Sequence, residues 1–174
     1  MKNAKQITAE HRNMVETAIY SLIETKTNQI KLRKKKKISL DERFKITSAE
    51  KAAIVFSQAF KIQSLTEEFI FLLCLDSVGN IKGLFEVSHG TINQAIINIR
   101  GIFQRALLCD AASIIIAHNH PSGDSTPSRE DSEVYNKLIE AGKLMEISLL
   151  DNLIIGKNEF YSFKEQSKLS LSIQ

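Results

Sequence analysis

Residues 117–131 read Ala-His-Asn-His-Pro-Ser-Gly-Asp-Ser-Thr-Pro-Ser-Arg-Glu-Asp and contain both prolines and two of the four histidines of this 174-residue chain. His118 and His120 are two residues apart, so at the end of a β-strand their side chains project to one face. Two imidazoles on one face can bind one cation, and imidazole suits zinc. Asp131 adds a carboxylate. Two histidines and one carboxylate leave the fourth tetrahedral position for water, which is typical of a catalytic zinc site.

A purely structural interpretation of the same residues is also open. Ser128 and Asp131 have the spacing of a helix capping box, in which the serine accepts a backbone hydrogen bond and the acid reaches back to the cap. A single histidine is more often a core or surface residue than a metal ligand. Two other zinc patterns are excluded, because the chain contains neither His-Glu-x-x-His nor Pro-Cys-x-x-Cys.

The spacing of the whole stretch resembles the JAMM motif of the JAB1/MPN-type metalloproteases. Its residue pattern is similar to that of the bacterial RadC family, which was once linked to DNA repair. The resemblance covers residues 46–165. It implies an α/β domain, a mixed sheet flanked by helices that is related to the cytidine deaminases. It further implies Zn²⁺ bound by His118, His120 and Asp131, and hydrolysis of a peptide or isopeptide bond in a peptide or protein substrate.

The resemblance also implies two catalytic residues. A JAMM hydrolase needs a carboxylate that takes the proton of water, and the RadC-like pattern Glu-x-x-x-Gly-Thr at residues 86–91 assigns this role to Glu86. Ser128 matches the motif serine, whose hydroxyl helps to stabilise an oxyanion. His89 is interpreted as a loop residue or an indirect support of the site. One position departs from the family, because Asn152 stands where a histidine is usual.

A second function is compatible with the sequence: an accessory module of DNA repair or of mobile elements that binds nucleic acid or a protein, with a structural or vestigial metal site. Residues 1–45 contain 12 Lys and Arg against 5 Asp and Glu, whereas residues 46–174 contain 11 against 15. Such a basic run attracts polyanions, so we expect weak non-specific nucleic-acid binding at most. The alternative is a solvated linker. The basic residues concerned are Lys31, Arg33, Lys34, Lys35, Lys36 and Lys37.

Cysteine use and hydropathy indicate a cytoplasmic protein that does not enter a membrane. No apolar run has the length of a membrane span, and the N-terminus lacks the apolar segment and cleavage site of a secretory signal. Cys74 and Cys109 lie in apolar surroundings without Cys-x-x-Cys spacing. Two reduced, buried thiols are therefore expected.

Apolar periodicity predicts an amphipathic helix over residues 8–25, whose stripe needs a partner surface on the domain or on a second copy of the chain, which would make a homodimer. Residues 26–45 are polar and basic and predict a linker. The sequence thus divides into a basic helical extension (1–45), a RadC-like domain (46–165) and a frayed polar tail (166–174).

Within the domain, Thr47 and Glu50 predict a capping box at the start of a helix. A later helix is predicted to begin at Ser128 and to stop at Gly142. A helix between two strands favours a parallel crossover, which places His118 at the carboxyl end of a strand. The remaining predicted elements are strands over 69–76, 81–88 and 113–117 and a helix near 98–109. Residues 146–155 predict one strand, or two strands broken at Asp151-Asn152, and a turn over 156–159 leads into residues 160–163.

Overall fold

A computed structural model of the protein describes residues 14–24, 29–41, 45–90 and 98–171. Within these ranges the elements, in chain order, are β1 (Met14–Glu24), β2 (Ile30–Asp41), α1 (Ala49–Phe60), a 3₁₀ turn (Ile62–Ser64), β3 (Glu68–Leu75), β4 (Ile81–Gly90), α2 (Ile99–Leu108), β5 (Ser113–Asn119), α3 (Arg129–Met145), β6 (Ser148–Ile155), β7 (Glu159–Ser162) and β8 (Ser167–Ser170).

The strands form one mixed sheet in the order β2-β1-β4-β3-β5-β6-β7-β8. The pairs β1/β4 and β5/β6 are parallel, and the other pairs are antiparallel. Strands β4 and β5 both run antiparallel to β3, so α2 connects two parallel strands, as predicted. Helix α3 makes the second parallel crossover, from β5 to β6. The predicted mixed α/β fold is confirmed.

The sheet buries a separate apolar cluster on each of its faces. On the α1 face, Phe56 of α1 packs with Phe71 and Leu73 of β3. On the α2/α3 face, Ile70 of β3 packs with Ile102 of α2. Neighbouring residues of β3 thus alternate between the two clusters, because successive side chains of a strand point to opposite faces. The strand register therefore indicates on which face of the sheet each site residue lies.

The helix predicted over residues 8–25 is wrong where the structure describes it, because Met14–Glu24 is strand β1. Ile19 lies in the cluster of the α1 face, and Tyr20 contacts Phe85 on the α2/α3 face with ring centroids 5.9 Å apart. Both faces of the strand are thus covered by apolar residues, so its sequence lacks simple alternation and imitates a helical stripe. The predicted linker is likewise strand β2 over Ile30–Asp41.

Three further boundaries differ from the predictions. The tail does not fray at residue 166, since β8 pairs with β7 over Ser167–Ser170. Helix α1 is capped by Ser48 rather than by Thr47. Helix α3 passes Gly142 and ends at Met145. A Cβ at position 142 would lie 2.6 Å from the Ile147 carbonyl oxygen, so no larger residue fits there. That glycine allows a close backbone approach instead of stopping the helix.

The predicted burial of the two thiols is confirmed, since Cys74 and Cys109 are free and buried. Among the helices of the described ranges, none is long and apolar enough to cross a membrane.

Candidate metal centre

Three side chains predicted from the sequence converge at the end of β5 and the start of α3. His118 Nε2 lies 3.3 Å from His120 Nε2. Asp131 places Oδ1 at 3.2 Å from His118 Nε2 and Oδ2 at 3.6 Å from His120 Nε2. Within the residues that the structure describes, these three form the group of ligand atoms that fits a metal ion.

The separations of these atoms fit a tetrahedral zinc ion. Ligand bonds of 2.0–2.1 Å at tetrahedral angles place neighbouring ligand atoms about 3.3 Å apart. The distance of 3.3 Å between the two Nε2 atoms and that of 3.2 Å from His118 Nε2 to Asp131 Oδ1 lie close to this value, whereas the 3.6 Å from His120 Nε2 is measured to the other carboxylate oxygen, Oδ2. Two imidazoles and a carboxylate form a donor set that zinc accepts with a fourth position left open. The residues present therefore fit the metal that the sequence predicted.

The tautomer of His120 also suits metal binding. Its Nδ1 lies 2.8 Å from the backbone carbonyl oxygen of Asp124, which can only accept a hydrogen bond. Nδ1 therefore carries a proton, and the neutral ring presents the lone pair of Nε2 to the centre of the group. His118 is almost fully buried, and its Nδ1 has no hydrogen-bond partner among the described residues.

Asp131 lies in the first turn of α3 and is positioned by the cap of that helix. Ser128 is the N-cap of α3, and its Oγ accepts a hydrogen bond from Asp131 N at 3.0 Å. The Asp131 carboxylate reaches back to Ser128 N at 2.8 Å and to Ser128 Oγ at 2.6 Å. The capping-box interpretation and the metal-ligand interpretation of these residues are therefore both compatible with the structure, because Asp131 uses Oδ1 for His118 and Oδ2 for the cap.

The electrostatics of the group favour a charged carboxylate. Burial alone would raise the pKa of Asp131, but hydrogen bonds with His118 and His120 outweigh burial and hold that pKa well below its usual range. The hydrogen bond with Asp131 raises the pKa of His120 against the opposing effect of burial, and the negative charge of Glu68 raises it further. The negative charge that favours the protonated form of His120 also favours a metal cation at the same place.

Glu86, the glutamate assigned from the family pattern, does not join this group. It lies opposite Phe71 in the β3–β4 register, on the α1 face. His118 lies opposite Ile70, on the α2/α3 face. The Glu86 carboxylate is instead 3.4 Å from His89 Nδ1 in a half-exposed pair. The β3–β4 register thus groups Glu86 with Phe71 rather than with Ile70, and its catalytic role stays a prediction.

Glu68, which the sequence interpretation missed, lies on the same face as the histidines. Since Ile70 is opposite His118, the antiparallel register continued by two residues places Glu68 opposite His120. Asn119 holds the two strand ends together, accepting from Phe69 N at 2.9 Å and donating to the Glu67 carbonyl oxygen at 2.8 Å. In the sequence Glu68 directly precedes the apolar run 69–75, but only the pairing of β3 with β5 indicates which histidine it faces.

Asn152 lies on the same face of the sheet as the site, on the neighbouring strand β6. It is opposite Ile116 in the β5–β6 register and so shares the α2/α3 face with His118. Both amide atoms of Asn152 are buried without a hydrogen-bond partner among the described residues. Asn152, which stands where the family usually has a histidine, is therefore a buried polar residue on the α2/α3 face.

Comparisons with known proteins agree with this architecture. A family model for the RadC-like JAB domain matches residues 46–169. A UPF0758 protein of Roseiflexus castenholzii is 39% identical over 126 residues, covering 72% of this chain and 53% of the relative. The UPF0758 protein YsxA of Bacillus subtilis is 41% identical over 133 residues, covering 76% and 57%. The chain spans about half the length of the curated relatives that it matches.

Proposed function

Since this chain belongs to the RadC-like JAB domain family, we propose that it is a zinc-dependent hydrolase that cleaves a peptide or isopeptide bond. The observation that carries the proposal is the convergence of His118, His120 and Asp131, whose ligand atoms all lie within 4.8 Å of one another and form a donor set that zinc accepts. Bound zinc supplies a Lewis acid that activates water and polarises a carbonyl group. The JAB fold by itself does not carry the proposal, because function belongs to the site.

The chain's own residues divide the remaining work. Hydrolysis needs a carboxylate beside the metal that takes the proton of water and passes it to the leaving amine. Glu68 meets the positional requirement, because the β3–β5 register, continued two residues beyond the Ile70–His118 pair, brings it opposite His120, whose pKa its charge raises. We do not choose Glu86, because it lies opposite Phe71 in the β3–β4 register and its carboxylate is 3.4 Å from His89 Nδ1. We therefore propose Glu68 for this role.

Ser128 has one hydroxyl proton for two tasks. It donates that proton to Asp131 Oδ2 and so holds the carboxylate in place. Stabilising a substrate oxyanion, as predicted from the motif, requires the same proton to turn toward the substrate. Ser128 thus orients Asp131 in this structure, and its oxyanion role remains a prediction.

The metal part of the proposal is tested with a histidine double variant. Purified protein should contain about one zinc ion per chain by elemental analysis. The His118→Ala/His120→Ala variant should lose the zinc, and His89→Ala, a matched exposed histidine on the other face, should keep it. Equal zinc content in all three proteins would contradict the site. Peptide-library and isopeptide substrates, with and without a chelator, then test for hydrolysis.

Nucleic-acid binding is a second candidate function, favoured by the position of strand β2. This strand is an edge strand of the sheet and pairs with β1. It lies outside residues 46–169, which the family model matches. Its six basic residues are exposed. They occur on both faces, since Lys36 lies opposite Ile19 and Lys34 lies opposite Tyr20. We propose that this strand attracts a phosphate backbone without reading its sequence.

The salt dependence of binding tests this second candidate. If the strand neutralises phosphates, the logarithm of the affinity for duplex DNA should fall with the logarithm of salt by about 0.9 per phosphate contacted. Changing Lys34, Lys35 and Lys36 to Gln should lower both affinity and slope. The same number of changes at exposed lysines of α3 and the β6–β7 turn, Lys137, Lys143 and Lys157, is the matched control. Equal losses in both variants would exclude a specific role for β2.

A further inference from the structure

The loop between β5 and α3 carries the carbonyl group that sets the tautomer of His120. His120 Nδ1 donates to the Asp124 carbonyl oxygen, so the position of the ring depends on the position of residue 124. The loop begins with a backbone bond from His120 N to the Ile155 carbonyl oxygen at 3.2 Å. Residues 120–125 form no helix or strand. A turn bond from Gly123 N to the His120 carbonyl oxygen at 2.9 Å holds them locally, and contacts with other elements complete their support.

The β7–β8 hairpin provides these contacts through one lysine. Lys168 of β8 places Nζ 2.7 Å from Asp124 Oδ1 and 2.9 Å from Glu159 Oε1. Ser125, which is fully buried, donates from Oγ to the same Glu159 oxygen at 2.8 Å. The Lys168 ammonium lowers the pKa of Asp124 and of Glu159, and both carboxylates raise the pKa of Lys168. The three groups therefore stay charged and attracted to one another at neutral pH.

A second contact holds the loop one residue earlier. Lys157 N donates to the Gly123 carbonyl oxygen at 3.2 Å. Gly156 makes this approach possible, because a Cβ there would lie 2.5 Å from that oxygen. The backbone thus holds Gly123, whereas the side chain of Asp124 is held by Lys168 together with Thr126, which donates to Asp124 Oδ1 from its backbone N and its Oγ1.

We propose that Lys168 is a positioning residue of the metal centre, acting through Asp124 on His120. By holding residue 124 against the β7–β8 hairpin, it keeps the Asp124 carbonyl group under Nδ1 and turns Nε2 toward His118 and Asp131. This inference rests on the proposed metal site. It also gives a function to residues beyond 165, which the sequence predicted to be a frayed tail.

The competing explanation is that the ion pairs of Lys168 are ordinary surface contacts. Exposed pairs contribute little to folding stability, so on that explanation neutralising Lys168 changes neither metal affinity nor unfolding. The positioning role predicts a different pattern. Outer partners of metal-bound histidines typically change metal affinity by 10- to 100-fold. Lys168 acts one residue further out, so we expect about a tenfold loss, at the lower end of that range.

The role also has a reciprocal consequence. If the hairpin holds His120 in place for zinc, then zinc must stabilise the hairpin by the same coupling, because linkage between two binding events is symmetric. Backbone amides of residues 159–170 should exchange more slowly with deuterium when zinc is added to the full chain. Neutralising Lys168 should remove this zinc-dependent protection.

The experiment measures zinc affinity of the full chain by competition with a chromophoric chelator. Lys168→Gln should bind zinc about tenfold more weakly, and Lys168→Arg, which keeps the positive charge, should recover most of the affinity. Lys164→Gln removes an exposed lysine of the same hairpin outside this network and should bind as the unmodified chain does. Asp124→Asn breaks the ion pair from the other side and should reproduce the loss, which keeps the test valid if Lys168→Gln folds poorly.

Two negative outcomes are distinguishable. If the unmodified chain binds zinc and both Lys168→Gln and Asp124→Asn bind it equally well, the positioning role is overturned while the metal site stands. If the unmodified chain does not bind zinc, the proposed function itself is overturned, and the role of Lys168 falls with it. A loss of affinity in Lys164→Gln as large as in Lys168→Gln would also overturn the inference, because the effect would then be one of general charge.

Discussion

Exchanging Glu68 for Gln separates the proton-transfer role from every other role of this residue. Gln keeps the size of the side chain and can accept a hydrogen bond, but it cannot take a proton. Glu68 lies at the first position of β3, opposite the end of β5 on the ligand face, and is half-buried. It is not among the three grouped ligand residues. We therefore expect Glu68→Gln to fold and to bind zinc normally while hydrolysis fails.

The size of the expected loss follows from general acid–base catalysis. Removing a positioned base typically costs about 10²–10⁴-fold in rate. At about 1.4 kcal/mol for each factor of ten, this loss corresponds to roughly 3–5 kcal/mol of transition-state stabilisation. The change in folding stability should stay within about 0.5 kcal/mol, as for most substitutions outside a packed core. A hundredfold loss of kcat in a protein of unchanged stability would thus point to chemistry rather than to folding.

Two matched variants make the assay decisive. Glu67→Gln changes the preceding, exposed residue, whose side chain points to the other side of the strand, and should leave kcat unchanged. Glu86→Gln should also be nearly silent, because Glu86 lies on the α1 face. Each protein is assayed on the best substrate of the peptide and isopeptide screen, with zinc content measured in parallel. Full activity of Glu68→Gln together with an inactive, zinc-loaded Glu86→Gln would refute the assignment by register.

Three further predictions concern stability and the support of the centre. Ser128→Ala should lower the free energy of unfolding, measured by urea denaturation, by about 1 kcal/mol through loss of the N-cap. It should also weaken zinc binding, because Asp131 loses the hydroxyl group that donates to it. A zinc affinity equal to that of the unmodified chain would contradict this second effect. Gly156→Ala should weaken zinc binding and lower the melting temperature, since its Cβ would lie 2.5 Å from the Gly123 carbonyl oxygen; an unchanged melting temperature speaks against this close approach. Burial raises the pKa of Asp151, so its stabilising contribution is complete below the unfolded pKa of about 3.9 and declines as the pH rises through the folded pKa. The stability of the unmodified chain relative to Asp151→Asn should therefore fall as the pH is raised, and a relative stability that rises with pH would contradict the buried, raised pKa.

The three predicted ligands could be found from the sequence because their arrangement is local. Two residues of one strand separated by a single position share a face, whatever the rest of the fold does. Asp131 follows Ser128 at capping-box spacing, so the start of α3 orients its carboxylate within four residues. Family resemblance extended this local pattern to the domain, and the match over residues 46–169 confirms the family.

Tertiary structure decided everything that depends on which strands pair. The apolar residues of β1 fit a helical stripe as well as a strand covered on both faces, and only pairing with β2 and β4 selects the strand. Glu68 and Glu86 are both strand glutamates, and the register of β3 with its two neighbours places one on the ligand face and the other behind the sheet. A shift of one residue would exchange those faces, and register is set by long-range packing rather than by local sequence. The same holds for Lys168, whose partners Asp124 and Glu159 are far from it in sequence and meet it only because β8 pairs with β7.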